Sequence, residues 1–284
     1  MAGVEGRVVA ITGAGGGIGR EHALLFGEQG AKVVVNDLGG SRDGTGGGSD
    51  MADETVQLIK DAGGEAVANY DNVATPEGGK GVVQTAIDSF GRIDVVVCNA
   101  GILRDRSFHN MSDEEWEAVV KVHLFGTYHP VKAAWPAFRD QGFGRVIVTT
   151  STSGIYGNFG QANYGAAKLG VVGLINTLAI EGAKYSITAN AVAPVAATRM
   201  TEDIMPEEML SKLEPGYVSP AVVHLASEEC QESGSIILAA GGRYQKIQYF
   251  QSPGHEFDHL PSVEEVAANW DAITDMSEAA PRRR

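Results

Sequence analysis

The run Arg7-Val-Val-Ala-Ile-Thr12 passes directly into Gly13-Ala-Gly-Gly-Gly17-Ile18-Gly19, and a helical pattern opens at Ile18. A near-continuous apolar run of this length reads as a strand buried on both faces, the habit of parallel sheets covered by helices. The glycines between strand and helix give a tight turn with no side chain in the way. They also leave free amides at a helix N-terminus, which is what the pyrophosphate of a dinucleotide requires. Asp37 closes the next apolar run, 18 residues beyond Gly19. A carboxylate there is placed to accept hydrogen bonds from the hydroxyls of an adenosine ribose.

Working outward, Ala31–Asn36, Ile93–Cys98 and Arg145–Thr149 repeat the first run, with Ile187–Val192 and Ser235–Ala239 as weaker members. Helical stretches lie between them at Ile18–Gln29, Met51–Asp61, Glu77–Phe90, Ser112–Arg139 and Gln161–Lys184. Alternation of this kind predicts an α/β fold with a doubly wound, Rossmann-type parallel sheet, its crossovers right-handed. Residues 39–48, with six glycines in ten, are expected to form a flexible loop. After Gly242 the composition turns to Tyr244, Tyr249, Phe250 and Phe257 among prolines, and Ser262 with Glu265 signs a capping box ahead of a helix reaching Ile273. The expected organisation is a single domain over residues 1–242 with a C-terminal extension, 243–284, packed on it.

Glycine is the compositional outlier, at 37 of 284 residues, and without a Gly-X-Y period it must serve turns and close approaches. The formal charge of −14 offers no basic stripe, which argues against a nucleic-acid partner. Two cysteines, Cys98 and Cys230, cannot build a disulfide framework. With no signal peptide, no run of 18 apolar residues and no Ser-Lys-Leu ending, the expectation is a cytoplasmic protein without a membrane partner.

Tyr164 and Lys168 stand four apart in a helical stretch and so share a face. A phenol near its ordinary pKa of about 10 is a weak acid–base group at neutral pH. An ammonium ~4 Å away, at an effective dielectric of ~20, would favour the phenolate by about 4 kcal/mol, opposed by desolvation. Ser151 lies at the end of the Arg145–Thr149 run, and Asn99-Ala100-Gly101 follows the Ile93–Cys98 run. Carboxyl ends of strands in such sheets are where ligands bind.

Taken together, Thr12–Gly19, Asn99–Gly101, Ser151 and Tyr164-x-x-x-Lys168 resemble the short-chain dehydrogenase/reductase family over roughly residues 4–242. Asn36–Gly40, Ala68–Asp71, Gly101–Phe108 and Ser153–Tyr164, with Val266–Trp270 in the tail, are similar to its (3R)-hydroxyacyl-CoA dehydrogenase branch. The resemblance implies that Ser151 holds a carbonyl oxygen, Tyr164 moves the proton, and Lys168 lowers the Tyr pKa and binds the nicotinamide ribose. It implies that Gly13, Gly17, Ile18 and Gly19 hold the pyrophosphate side, that Asn72 and Val73 flank the adenine, and that Asn99, Gly101 and Thr198 line the cofactor cleft. Asn72 replaces an Asp usual in the wider family. At the place of a further catalytic Asn this chain has His123, either a proton-relay group or a core histidine. NAD is the implied cofactor, since Asp37 opposes a 2′-phosphate, and a homodimer or homotetramer is the implied assembly.

His255-Glu-Phe-Asp-His259 matches a zinc-protease motif, but Pro253-Gly254 before it and Pro261 after it leave no room for the helix that motif needs, so no metal is expected. The leading expectation is an NAD-dependent oxidation of a (3R)-3-hydroxyacyl-CoA to the 3-oxoacyl-CoA. Alternatives are a hydroxysteroid dehydrogenase acting on steroid alcohols, a carrier-protein-linked reductase, and a non-catalytic dinucleotide sensor, which would have no need of Ser151, Tyr164 and Lys168. Arg104 and Arg106 are candidate cations for a CoA anion, against an ordinary surface role.

Overall fold

Short apolar runs become strands where helices cover both their faces. In the computed structural model, which describes residues 3–196 and 213–281, β1 (Val8–Thr12) and β4 (Val95–Cys98) are buried along their whole length. They share a sheet with β2 (Lys32–Asn36), β3 (Glu65–Asn69), β5 (Gly144–Thr149), β6 (Ile187–Val195), β7 (Ile236–Ala240) and β8 (Arg243–Ile247). The order is β3-β2-β1-β4-β5-β6-β7-β8, and every pair from β3 to β7 is parallel. The chain starts in the middle, builds out to β3, then returns beside β1 to build the other half. Ligands bind in such sheets where the winding reverses, here between β1 and β4. Register sets Asn36, Thr12 and Cys98 side by side at that carboxyl edge.

The helices are α1 (Gly17–Glu28), α2 (Asp50–Asp61), α3 (Pro76–Phe90), α4 (Asp113–Val120), α5 (Gly126–Gln141), α6 (Thr152–Tyr156), α7 (Ala162–Gly182) and α8 (Ser219–Ala226). The bounds of α3 have a local cause. Thr75 caps α3 by accepting from the Gly78 amide, Pro76 follows where a missing N–H costs nothing, and Gly91 ends the helix in the left-handed region. One core cluster lies under α1, α2 and α8, where Phe26, Ile59 and Val222 meet Ile11, Val33 and Val97 of the sheet.

The structure departs from the sequence reading in instructive places. The stretch Ser112–Arg139 is not one α-helix: a π-helical turn, Lys121–Phe125, separates α4 from α5, and the Thr127 hydroxyl takes the His123 carbonyl at 2.8 Å. The loop 39–48 is laced by its own hydrogen bonds rather than slack, for the Asp43 carboxylate accepts from Ser41 Oγ, Thr45 N and Thr45 Oγ1. With the turn after it, α7 is long and apolar enough, over Ala162–Tyr185, to cross a membrane by length and composition. In this fold it is a core helix against β5 and β6, with Asn163 and Lys168 on its buried side.

Residues 247–284 form a second unit, so the boundary falls four residues later than expected and β8 begins in what was read as extension. Within it β9 (Phe250–Gln251) pairs antiparallel with β10 (Ala280–Pro281). The Ser262–Glu265 capping box is formed, but the helix expected to reach Ile273 breaks at Asn269 into α9 (Val263–Ala268) and α10 (Trp270–Thr274). Pro261, Val263, Val266, Ala267 and Trp270 line an open recess of about 600 Å³.

Candidate active site

Gly13 takes a φ of +65°, a conformation L side chains rarely adopt, and a β-carbon there would lie 2.7 Å from Ala100 Cα. At Gly19 a β-carbon would overlap the Gly13 carbonyl and come within 2.5 Å of Asn99 Nδ2. The turn is therefore packed backbone against backbone, with no room for a side chain at either glycine, and it delivers the N-terminus of α1 as the cradle. Gly17 and Ile18 open α1 at its floor. Asn99 does more than line the cleft: its amide donates to the carbonyls of Thr12 (3.3 Å) and Gly13 (3.1 Å), while Thr12 Oγ1 accepts from the amides of Asn99 and Ala100.

Asp37 stands at the end of β2 with both oxygens held, Oδ2 by the Gly15 amide at 2.8 Å and Oδ1 by the Gly39 amide at 2.7 Å. Arg20, at the start of α1, donates to the Gly15 carbonyl and to Glu54. Asn72 turns its side-chain oxygen to its own loop, accepting from Ala74 N, and Val73 is buried beneath it. Thr198 lies outside the described residues.

On the other half of the sheet Ser151 caps α6 just beyond β5, its Oγ accepting from Ser153 N at 3.1 Å. Tyr164 is half-buried and stands beside Ser151. Burial raises its pKa, the Ser151 bond lowers it, and the Asp105 charge raises it. Lys168 Nζ donates to the Thr149 carbonyl at 2.6 Å and lies 5.5 Å from the Tyr164 ring centre. Burial presses its pKa down to about 7. The electrostatics thus differ from the sequence argument. In this protein Lys168 titrates near neutrality, and burial, not the ammonium, sets the direction of the Tyr164 shift. The two groups share a face of α7.

His123 is buried on the π-helical turn, its ring edge-on to Tyr164 with centroids 5.0 Å apart. Nε2 lies 2.8 Å from the Ile102 carbonyl and 3.2 Å from the Ile102 amide. Burial, reinforced by Lys168, holds its pKa well below the usual imidazole range, so the ring is neutral. Its Nδ1 and Thr188 Oγ1 are the buried side-chain polar atoms without a hydrogen-bond partner among the described residues. Gly101 exists for this ring: a β-carbon there would overlap Cε1 and reach 3.2 Å from Nδ1.

Other side chains near the site were invisible in the sequence. Asn163, fully buried, ties the start of α7 to the carbonyls of Arg104 and Glu115, and Gln161 holds Asp105 at 2.8 Å. Arg104 donates to the Asp43 carbonyl and Arg106 pairs with Glu115, so both candidate anion-binding cations already have protein partners. Residues 255–259 form no helix, and the His259 nitrogens face Asp258 and Glu265.

A glycine cradle beside a strand-end carboxylate, with a Ser–Tyr–Lys set two strands away, has the parts for moving a proton next to a bound dinucleotide. The family model for short chain dehydrogenases matches residues 7–209. The chain belongs to the short-chain dehydrogenase/reductase family. A short-chain type dehydrogenase/reductase of Mycobacterium tuberculosis is 61% identical over 279 residues, 98% of each chain. Mouse peroxisomal multifunctional enzyme type 2 is 51% identical over 279 residues, 97% of this chain but 38% of that protein, so this chain spans about two fifths of its length. A hydroxyacyl-CoA dehydrogenase of M. tuberculosis is 37% identical, covering 89% of this chain and 81% of its own. The crystal structure of carveol dehydrogenase from Mycobacterium avium in complex with NAD superposes with a TM-score of 0.78 at 28% identity, over 85% of this chain and 99% of that one. This short-chain dehydrogenase is an oxidoreductase acting on a secondary alcohol, and the cradle fits the nicotinamide dinucleotide that its family uses.

Proposed function

We propose that this dehydrogenase interconverts (3R)-3-hydroxyacyl-CoA and 3-oxoacyl-CoA with NAD, as a homodimer or homotetramer in the cytoplasm. The observation that carries the chemistry is the placing of Tyr164 next to the Ser151 hydroxyl and Lys168 at the carboxyl edge of the sheet. Ser151 orients the substrate oxygen towards Tyr164. In the oxidative direction the Tyr164 oxygen takes the hydroxyl proton, and in the reductive direction it returns one to the forming alkoxide. Lys168, poised near pH 7, exchanges protons with little cost and stabilises the phenolate when charged. When bound, the nicotinamide supplies or accepts the hydride. Gly13, Gly17, Ile18 and Gly19 would hold its pyrophosphate, Asp37 and the Asn72–Val73 turn its adenosine end, and Lys168 its second ribose.

Relatives with a hydroxyacyl-CoA name and a multifunctional peroxisomal name support the substrate class. Asp37 supports NAD over NADP, because a 2′-phosphate would face its carboxylate and the neighbouring Arg20 is already paired with Glu54. Exposed Trp116 on α4, Phe125 on the π-helical turn and Tyr128 on α5, with Leu169 and Ile180 on α7, support an oligomer through these helices. We assign residues 247–284 to the same enzyme rather than to a separate activity. Two buried, unpaired cysteines suit a reducing compartment.

The test is kcat/KM for (3R)- and (3S)-3-hydroxyacyl-CoA of several chain lengths and for steroid alcohols, each with NAD and NADP. The proposal expects the (3R) thioesters with NAD to lead. Faster turnover of the steroid alcohols, of the (3S) series, or of either with NADP would overturn the corresponding part. Tyr164→Phe should retain NADH binding and lose turnover by roughly two orders of magnitude or more.

A further inference from the structure

The chain between β2 and α2 divides into three parts. Gly39-Gly40 and Gly46-Gly47-Gly48 form two stems, and Ser41-Arg-Asp-Gly-Thr45 forms the tip. The stems close on each other, with the Gly48 amide donating to the Leu38 carbonyl at 2.8 Å. The tip is a small hydrogen-bonded body. Ser41 N donates to the Thr45 carbonyl, Gly44 N to the Ser41 carbonyl, and the Asp43 carboxylate gathers both hydroxyls and the Thr45 amide. Those bonds keep the Asp43 pKa down at about 2, so the lacing persists throughout the neutral range. A rigid tip on two all-glycine stems is the construction of a hinged flap.

The tip does not end in solvent. The Leu103 amide donates to the Arg42 carbonyl and Arg104 Nε to the Asp43 carbonyl, both at 3.0 Å, and Gly44 packs on Ile102, where a β-carbon would lie 3.1 Å from Cγ2. Ile102–Arg104 follow β4, whereas the flap follows β2, and β1 with the glycine cradle lies between those strands. Neighbouring strands are about 4.8 Å apart, so this link spans roughly 10 Å of the carboxyl edge. Its roots are the Asp37 end and its anchor is the His123–Ile102 side.

We propose that residues 38–48 are a latched strap across the dinucleotide cleft, and that unlatching at Leu103–Arg104 governs how fast the dinucleotide leaves. The inference rests on the dinucleotide reading of the cradle. A ligand held between Asp37 and Lys168 runs along the row that the strap crosses. The strap's root also carries the Gly39 amide that orients Asp37, so closure and ribose recognition are mechanically joined. Both latch bonds accept on strap backbone carbonyls.

Stopped-flow displacement of NADH, followed by its fluorescence with no substrate present, reads release separately from chemistry. Arg104→Met removes one latch donor and leaves the tip intact, whereas Asp43→Ala unlaces the tip and leaves Arg104. A net hydrogen bond corresponds to about a two- to tenfold change in an equilibrium, so each variant should release NADH about two- to tenfold faster. Because they break one latch, the double variant should fall short of the product of the two. In the unaltered protein, NADH should slow amide exchange at Leu103. Wild-type release rates in both variants, each binding one NADH per chain, would overturn the strap, as would Leu103 exchange indifferent to NADH. Failure of the unaltered protein to bind NADH would instead overturn the dinucleotide reading and the strap with it.

Discussion

Replacing Lys168 by Met should make the protein without dinucleotide more stable while abolishing its turnover. Lys168 is 4% exposed and burial lowers its pKa from 10.5 to about 7, whereas the unfolded chain keeps the ordinary value. At pH 7 a shift of about 3.5 units corresponds to a cost on the order of 4 kcal/mol for placing this amine in the fold. Met fills the same channel without a charge but leaves the Thr149 carbonyl without its donor, which costs about 1–3 kcal/mol. The net expectation is a gain of about 1–3 kcal/mol, or several degrees in Tm for a chain of this size. The sign also fixes a pH signature. A depressed folded-state pKa means that the unfolded state binds the extra proton between about pH 7 and 10.5, so wild-type stability rises across that window. The advantage of Lys168→Met should therefore shrink by about 2 kcal/mol between pH 7 and pH 9. Melting curves recorded without dinucleotide at the two pH values measure it. A Met variant that melts below wild type at pH 7, or a difference that ignores pH, would refute the view that this lysine is kept at a cost to stability for its chemistry.

Gly19→Ala should cost about 1–3 kcal/mol and lose NADH binding, because its β-carbon meets backbone at Gly13 that cannot swing aside; tight NADH binding by this variant would count against the cradle. His22, buried against Ser219 Oγ at 2.8 Å, has its pKa pressed from 6.5 to about 3 by burial. Stability is whole above pH 6.5 and declines as pH falls towards 3, and His22→Gln should flatten the slope of Tm against pH in that window, so an unchanged slope excludes His22 as its source. Deleting residues 247–284 should lower the mass seen by light scattering or reduce kcat/KM for acyl-CoA substrates, since Val263, Trp270, Phe250 and Tyr249 are more exposed than large apolar groups usually remain. A truncated enzyme unchanged in both respects would make that unit dispensable.

The strands whose both faces are covered were legible because their sequences are apolar without interruption. β3 was not, since Glu65-Ala-Val-Ala-Asn69 is an edge strand with small residues and a charge at its start. Nor was α8, an eight-residue helix whose apolar run has no helical period of its own. The π-helical turn leaves no mark in hydrophobic spacing, because one extra residue in a turn shifts only the phase of the helix beyond it. At the site, order and spacing revealed Ser151, Tyr164 and Lys168, but not that the Thr149 carbonyl engages the ammonium or that Arg104 and Arg106 are already partnered. Such facts belong to burial and to contacts distant in sequence. Glycine content suggested slackness in residues 39–48, whereas Asp43 and two hydroxyls supply the order there.

The pairing of Arg20 with Glu54 has a consequence for anyone wishing to change the cofactor. Removing the Asp37 carboxylate alone would relieve repulsion of a 2′-phosphate without offering that phosphate a counter-ion. Arg20 is near enough in the chain to serve, yet its guanidinium is spent on the Gly15 carbonyl and on Glu54, 2.8 Å away. A redesign therefore has two steps that help only together: neutralise residue 37, and release Arg20 by replacing Glu54 with Gln. On the proposed reading of Asp37, single substitutions at either end of this circuit should yield poorer enzymes rather than intermediate ones.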